Sequence, residues 1–351
     1  MNITKPSRKL CILAPMILVT GGTGLVGAHL LFSLLQKGEK VRAIHRKNSN
    51  LNSVKSLFEL LGNTSLYDKI EWKEANLIDI PKLSEAFQDI KKVYHAAAYV
   101  SFNPKHYQKL VKSNVEGTAN IVNLSLHFDI EKLCYFSSVA TLSPLPGNEQ
   151  IDEECYWNTE EDSSVYAITK YAAEMEVWRG TQEGLKSVIL NPGIILGSGF
   201  WNSGTGAFFS RIYKNLNYYP TGVTGFVAVE DVVSIAEKLT ESTIENERFV
   251  IVAENRSFQD IFSLIATALN KKTPQKALNP WLLQLLWRID KMRSIITFSE
   301  PQLFKSTATA ASRKRYFSNH KVTEKLSFSF TKLETSINRI AKDFIAQSKN
   351  T

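Results

Sequence analysis

Tyr166 and Lys170 stand four residues apart, and on a helix that spacing puts both side chains on one face. A free tyrosine, with a pKa of ~10, is a weak acid–base catalyst near neutrality. A neighbouring ammonium favours the phenolate and brings the phenol toward its working range. Ser138, at the end of an apolar run, adds a hydroxyl that can polarise a carbonyl. The chemistry these three could share is proton transfer to a carbonyl oxygen, or from an alcohol. A Tyr-x-x-x-Lys pair arises often by chance, so its weight rests on what precedes it.

What precedes it is a glycine-rich loop, Thr20-Gly21-Gly22-Thr23-Gly24-Leu25-Val26-Gly27, after an apolar run and before a periodic helix. Gly21 can take a backbone conformation closed to other residues. Gly24 lets a pyrophosphate approach the backbone amides, and Gly27 lets the helix pack against the strand. The helix N-terminus would then hold the anion. At the end of the second strand, where NAD sites usually place a carboxylate, the chain has His45-Arg46-Lys47. Cations where a 2′-phosphate would lie favour NADP(H) over NAD. The alternative is a solvated basic turn.

The elements that must position these residues alternate. Strands are expected at Met16–Thr20, Lys40–His45, Ile70–Lys73, Lys92–His95, Leu133–Ser137 and Ser187–Leu190. Helices are expected at Leu25–Lys37 and near 51–61, 82–89, 105–128 and 163–180. This is an α/β pattern, a Rossmann-type doubly wound parallel sheet. After Pro192 the pattern loosens, with a short helix near 206–214. Phe226–Val229, a helix from Asp231 and Arg248–Val252 read as a return to the sheet. From Ser257 onward the reading is helical, with Ser257 and Ser299 as N-caps and Pro280 and Pro301 near helix starts. The expected division is a leader at 1–15, disordered; a nucleotide-binding domain of 16–192 plus about 226–256; and a smaller, mainly helical substrate lobe of about 193–225 plus 257–351.

The 351 residues, 44% hydrophobic and 22% charged, describe a globular chain with ample core. Residues 1–15 hold +3 of the formal +8 charge and residues 301–351 hold +7. These cations are spread among apolar residues, which fits solvated helix faces and no dedicated nucleic-acid binder. Cys11, Cys134 and Cys155 lack metal-ligand spacing, so no metal is expected, and the usage fits a reducing cytoplasm. No secretory signal and no membrane-spanning run is expected.

The chain resembles an extended short-chain dehydrogenase/reductase of the NAD-dependent epimerase/dehydratase superfamily. The residues carrying the likeness are Thr20–Gly27, Asn76-Leu77, His95-Ala96-Ala97-Ala98, Asn114–Thr118, Phe136-Ser137-Ser138, Tyr166 with Lys170, and Asn191-Pro192-Gly193. The resemblance implies Tyr166 as proton donor or acceptor and Lys170 on the nicotinamide ribose. It makes Ser138 the orienter of the substrate oxygen and Asn114 a support of the active site. His95, Ala96, Ala97 and Ala98 would line the cofactor, Asn76 would meet adenine beside Leu77, and Asn191, Pro192 and Gly193 would shape the nicotinamide pocket. Ser137 would be a structural neighbour.

Within the superfamily, Asn191–Gly197 and the basic Arg46 turn are nearest the dihydroflavonol-reductase and hydroxysteroid-dehydrogenase-like branch. That implies a hydrophobic or aromatic carbonyl or alcohol as substrate. Phe102, Phe200 and Trp201, with Phe208, Phe209, Tyr213, Tyr218 and Tyr219, are candidate pocket walls, and Arg211 is the loop cation that could meet a phosphate. The rival readings are a sugar-nucleotide epimerase/dehydratase and a non-catalytic dinucleotide-binding protein, and a homodimer is compatible with all three. The apolar stretch Trp281–Trp287 is expected to be a substrate-lobe helix buried against the 197–225 loops. Its alternative is an interfacial helix on anionic lipid, helped by Lys291, Arg293 and the basic tail.

Overall fold

In the computed structural model, which describes residues 16–145, 147, 150–158, 164–297 and 304–348, the expected strands pair into one parallel sheet. The expected leader with Cys11, and the cap and helix start at Ser299 and Pro301, lie outside the described residues. The strands are β1 (Met16–Thr20), β2 (Lys40–His45), β3 (Glu71–Glu74), β4 (Ile90–His95), β5 (Lys132–Phe136), β6 (Ser187–Pro192) and β7 (Glu247–Ile251). Their order across the sheet is β7-β6-β5-β4-β1-β2-β3.

Both faces of this sheet are covered, which is why the strands read as apolar runs and not as alternation. Ile17, Val19, Val188 and Leu190 face the helices Leu25–Gln36, Leu51–Leu60 and Val229–Glu241. Leu18, Val93, Leu133 and Ile189 face Ile80–Ala86, Gly117–His127 and Val165–Gln182. β1 lies between β2 and β4, so the chain reverses its travel across the sheet there. The C-terminal ends of β1 and β4 therefore border the crevice where such sheets bind ligands.

Two expectations are corrected. Arg248–Ile251 does join the main sheet, within β7, but the strand holding Phe226 does not. Val223–Ala228 pairs with Ile194–Leu196 and Glu254–Ser257 in a separate three-stranded sheet. The cause is a glycine contact: a Cβ on Gly193 would lie 2.4 Å from the Gly225 carbonyl oxygen, so the two strands approach closer than side chains allow. Phe226 packs with Phe209, Ile212, Ile261 and Ile337 in a second core, while Val322 and Phe328 of the tail join the core of the main sheet.

The second correction concerns Trp281–Trp287. The helix forms over Pro280–Thr297 and packs against the Lys305–Ala310 helix. Leu283 is buried, but Trp281, Leu285 and Leu286 are exposed. Burial against the 197–225 loops would cover these side chains, and three of them face out. The fold instead uses one side of the helix and leaves the other uncovered.

Candidate active site

Thr20–Gly27 turns from β1 into the Leu25–Gln36 helix over the end of β4. Gly21 has φ +72°, and a Cβ there would lie 2.6 Å from Ala96 and Ala97. A Cβ on Gly27 would lie 2.2 Å from the Gly21 carbonyl oxygen, so the helix start presses on its own loop. Gly24 is the N-cap and makes no side-chain cap bond, which leaves the first-turn amides of Leu25 and Val26 without a side-chain acceptor at the cap. A bare helix N-terminus with an exposed glycine fits a pyrophosphate. Thr23 is half-buried in the same turn, as are Ala96 and Ala97 opposite, and Ala98 is exposed.

Beside this loop a cavity of about 430 Å³ is lined by Arg46, Lys47, Asn48, Glu74, Ala75, Asn76, Asp79 and Lys82. Its two carboxylates are engaged: Glu74 pairs with Lys82 at 3.4 Å, and Asp79 caps the Ile80–Ala86 helix through the Lys82 amide. His45 turns toward Trp72, ring centroids 5.8 Å apart, so the cations at the cavity are Arg46, Lys47 and Lys82. Leu77 is buried beneath Gly117, and Asn120 bonds its carbonyl.

Tyr166 and Lys170 share one face of the Val165–Gln182 helix, which Ser164 caps by accepting from the Ala167 amide at 3.1 Å. Tyr166 is half-buried with Phe102 against its ring, centroids 5.5 Å apart. Burial pushes the phenol up, and a hydrogen bond with Ser138 pulls it back. Ser138, in extended conformation at the end of the β5 turn, also accepts from the Ala140 amide.

Lys170 is 2% exposed, and burial drives its ammonium down to about 7. Its Nζ donates to Tyr135 Oη at 2.9 Å and to the Phe136 carbonyl at 2.7 Å. The expected lowering of Tyr166 by Lys170 is therefore not the arrangement found, because the lysine head is drawn onto β5.

Tyr135 opens a buried polar chain that leads back to the nucleotide loop. Its phenol bonds Thr118, and Thr118 donates to the Asn114 carbonyl at 2.5 Å. With that hydroxyl proton committed, His95 Nε2 is the donor to Thr118, at 3.0 Å. His95 Nδ1 then accepts from Thr20 Oγ1 at 2.6 Å, and Thr20 accepts from the Ala97 amide. Burial holds His95 neutral, its pKa down at about 3. His95, expected to line the cofactor, is fully buried and ties β1 to β4.

Asn114 sits in a π-helical turn, Val111–Glu116, that aims its side chain inward. It grips Tyr99 from both sides, accepting from the amide at 2.7 Å and donating to the carbonyl at 3.0 Å, and it also donates to Thr169.

A second buried centre is Glu174, one turn beyond Lys170 and 0% exposed. One carboxylate oxygen accepts from Ser137 (2.5 Å), Thr141 (3.0 Å) and Asn191 (2.9 Å), and the other pairs with Arg248 at 3.3 Å. Ser137 is thereby fixed as an anchor, leaving Ser138 as the hydroxyl beside Tyr166. Asn191 also donates to the Ser138 carbonyl, and the Pro192–Gly193 turn follows, held by the Gly193 amide on Ile251.

Phe102 is the expected substrate residue found in ring contact with Tyr166. Phe200 packs on the main core, and Trp201 packs between Phe209 and Phe344 with its indole bonded to Gln347. Phe209 is fully buried, and Arg211 is exposed on the Gly206–Tyr213 helix. Sequence reasoning missed Tyr135, Glu174 and Arg248. Only Glu174 carried a signal, four residues after Lys170 on the same helix face.

Fold and site define a dinucleotide-binding enzyme of the short-chain dehydrogenase/reductase type. Residues 17–251 match the NAD dependent epimerase/dehydratase family, and the chain belongs to it. It is 30% identical over 290 residues to a protein of Synechocystis sp. bearing the name of a dihydroflavonol 4-reductase, with 80% of each chain covered. It is 27% identical over 271 residues to sterol demethylase protein B of Methylococcus capsulatus, covering 76% of this chain and 78% of that one. Among solved structures, the UDP-glucose 4-epimerase of Thermotoga maritima with UDP-glucose superposes with TM-score 0.72. That pair is 19% identical and covers 95% of this chain and 99% of that chain. The chain is thus an NAD(P)-dependent enzyme acting on CH–OH or C=O groups.

Proposed function

We propose that this enzyme uses NADPH to reduce the carbonyl of a hydrophobic ring compound, or oxidises the corresponding alcohol. The observation that carries the reading is Tyr166, half-buried between Ser138 and the ring of Phe102. That setting suits a polar carbonyl with an apolar body. The names of the relatives, a dihydroflavonol reductase and a sterol-processing protein, point to substrates of that class.

In this reading the amides of Thr20–Gly27 hold the pyrophosphate, Arg46 and Lys47 the 2′-phosphate, Asn76 and Leu77 the adenine side, and Ala96–Ala98 with Asn191–Gly193 the nicotinamide side. NADPH supplies the hydride. Ser138 donates a hydrogen bond to the carbonyl oxygen, and Tyr166 delivers its phenolic proton to it. Lys170, charged below about pH 7 and held on Tyr135 and the Phe136 carbonyl, turns its remaining N–H to the nicotinamide ribose. The nucleotide part is then the main sheet with its helices, including Val229–Ile251 and the tail residues Val322 and Phe328, and the substrate lobe is the second core, in which Phe226 packs with the Phe258–Ala268 and Leu333–Ser348 helices. Cys134 and Cys155 are free thiols, in keeping with a cytoplasmic enzyme.

The test is NADPH consumption by purified protein against aromatic aldehydes, polycyclic ketones and UDP-sugars, with Tyr166→Phe as control. The reading expects turnover of ring carbonyls, reduced by about 100-fold or more in the control. Turnover of UDP-sugars alone would move the enzyme to the epimerase branch.

A further inference from the structure

We infer that the Pro280–Thr297 helix is a docking surface for an anionic lipid membrane. Thirteen large apolar side chains are exposed among the described residues, and five of them lie on this one helix: Trp281, Leu285, Leu286, Ile289 and Met292. Trp281, Leu285, Ile289 and Met292 are 67, 44, 52 and 64% exposed. Their spacing confines them to an arc of roughly 80° along one side of the helix. Leu283, 4% exposed, falls on the opposite side and anchors the helix to the body. The result is an apolar ridge pointing outward. No helix among the described residues is long and apolar enough to cross a membrane. A ridge of this kind is suited to lie in the plane of a bilayer surface.

Charge identifies the occupant. Residues 271–315 contain ten Lys and Arg against only Asp290 and Glu300, a net +8 that equals the formal charge of the whole chain. The remaining 306 residues balance to zero. On the helix, Asp290 pairs with Arg293 at 2.8 Å, and the Arg288 guanidinium lies over the Trp287 ring, 5.0 Å from its centre. A second copy docking through the same patch would bring like charge against like charge. An anionic bilayer accepts the ridge among its acyl chains and the cations among its headgroups. This inference does not depend on the carbonyl-reductase reading.

Flotation of the full chain tests it, using phosphatidylcholine vesicles with about one third phosphatidylglycerol at about 0.15 M salt. The protein is expected to float, with binding reduced at least tenfold at about 1 M salt. The double variant Trp281→Ser/Ile289→Ser should lower partitioning by about tenfold or more while retaining dinucleotide binding. Should the variant fail to fold, brominated phosphatidylglycerol vesicles should quench wild-type tryptophan fluorescence, with salt reversing it. Protein that stays in the soluble fraction without quenching overturns the inference. So does equal flotation on pure phosphatidylcholine, or a lipid-free dimer that the double variant dissociates.

Discussion

Lys170 Nζ donates to the Tyr135 phenol oxygen at 2.9 Å, joining the Val165–Gln182 helix to β5 and placing the ammonium 4.5 Å from the centre of the same ring. Because Tyr135 also bonds Thr118, the lysine is coupled through His95 to Thr20 of the nucleotide loop. Tyr135→Phe keeps the ring and removes the oxygen. Losing one hydrogen bond to the charged form is worth about 1.5–3 kcal/mol, about one to two pKa units at most. Lys170 should then titrate below its value of about 7. The alkaline limb of the kcat/KM profile for reduction should move to lower pH by about half a unit or more. A uniform loss of activity at every pH would show that the phenol only fills space.

Lys170 also links activity to stability in opposite directions. Its folded value of about 7 lies below the ordinary 10.5. Between those values the unfolded chain binds a proton that the folded chain does not, so stability contributed by this site rises with pH across that window. Below pH 7 the full cost of burying the charge applies. Lys170→Met should abolish turnover yet raise stability at pH 7 by roughly 1–3 kcal/mol in urea unfolding, and flatten the rise toward pH 10. A less stable Met variant would show that the bonds to Tyr135 and Phe136 outweigh the desolvation.

The main sheet was legible because its strands are buried on both faces and so appear as short apolar runs bounded by turn residues. The Tyr166–Lys170 face was legible because helical spacing is local. What was not legible depended on distant partners. Tyr135 reads as one more apolar strand residue, and nothing near it reveals that its hydroxyl meets a lysine from another element. Val223–Ala228 has the pattern of a main-sheet strand, and only its distant partners, Ile194–Leu196 and Glu254–Ser257, assign it elsewhere. The Pro280–Thr297 helix failed for a related reason: counting apolar residues around a helix cannot say how much of it the fold covers.

Arg46→Ala should weaken NADPH binding by about tenfold while NADH affinity stays within about twofold. The reason is that Glu74 and Asp79, the acids of the adjoining cavity, are engaged by Lys82 and a helix cap, leaving a cationic rim for a phosphate. Calorimetry with both nucleotides measures the contrast. Equal losses for both would assign Arg46 to the shared part of the cofactor and remove the argument for NADPH.

Glu174 is the residue whose loss should reach furthest. Its carboxylate, wholly buried, gathers Ser137, Thr141 and Asn191 on one oxygen and Arg248 on the other. Glu174→Gln has nearly the same shape but cannot serve both groups. An amide oxygen turned to the three donors points its NH2 at the guanidinium, and the reverse orientation sets that NH2 against the Asn191 NH2, which can only donate. Breaking one partner of a buried pair costs about 3 kcal/mol or more, which denaturant unfolding would report. A second effect separates scaffold from chemistry. The Glu174 charge holds Lys170 higher than burial alone would. Its removal should therefore lower the Lys170 value further and move the alkaline limb of kcat/KM to lower pH, in the same direction as Tyr135→Phe. A stability loss with an unmoved pH profile would confine Glu174 to holding β5, β6 and β7 in place.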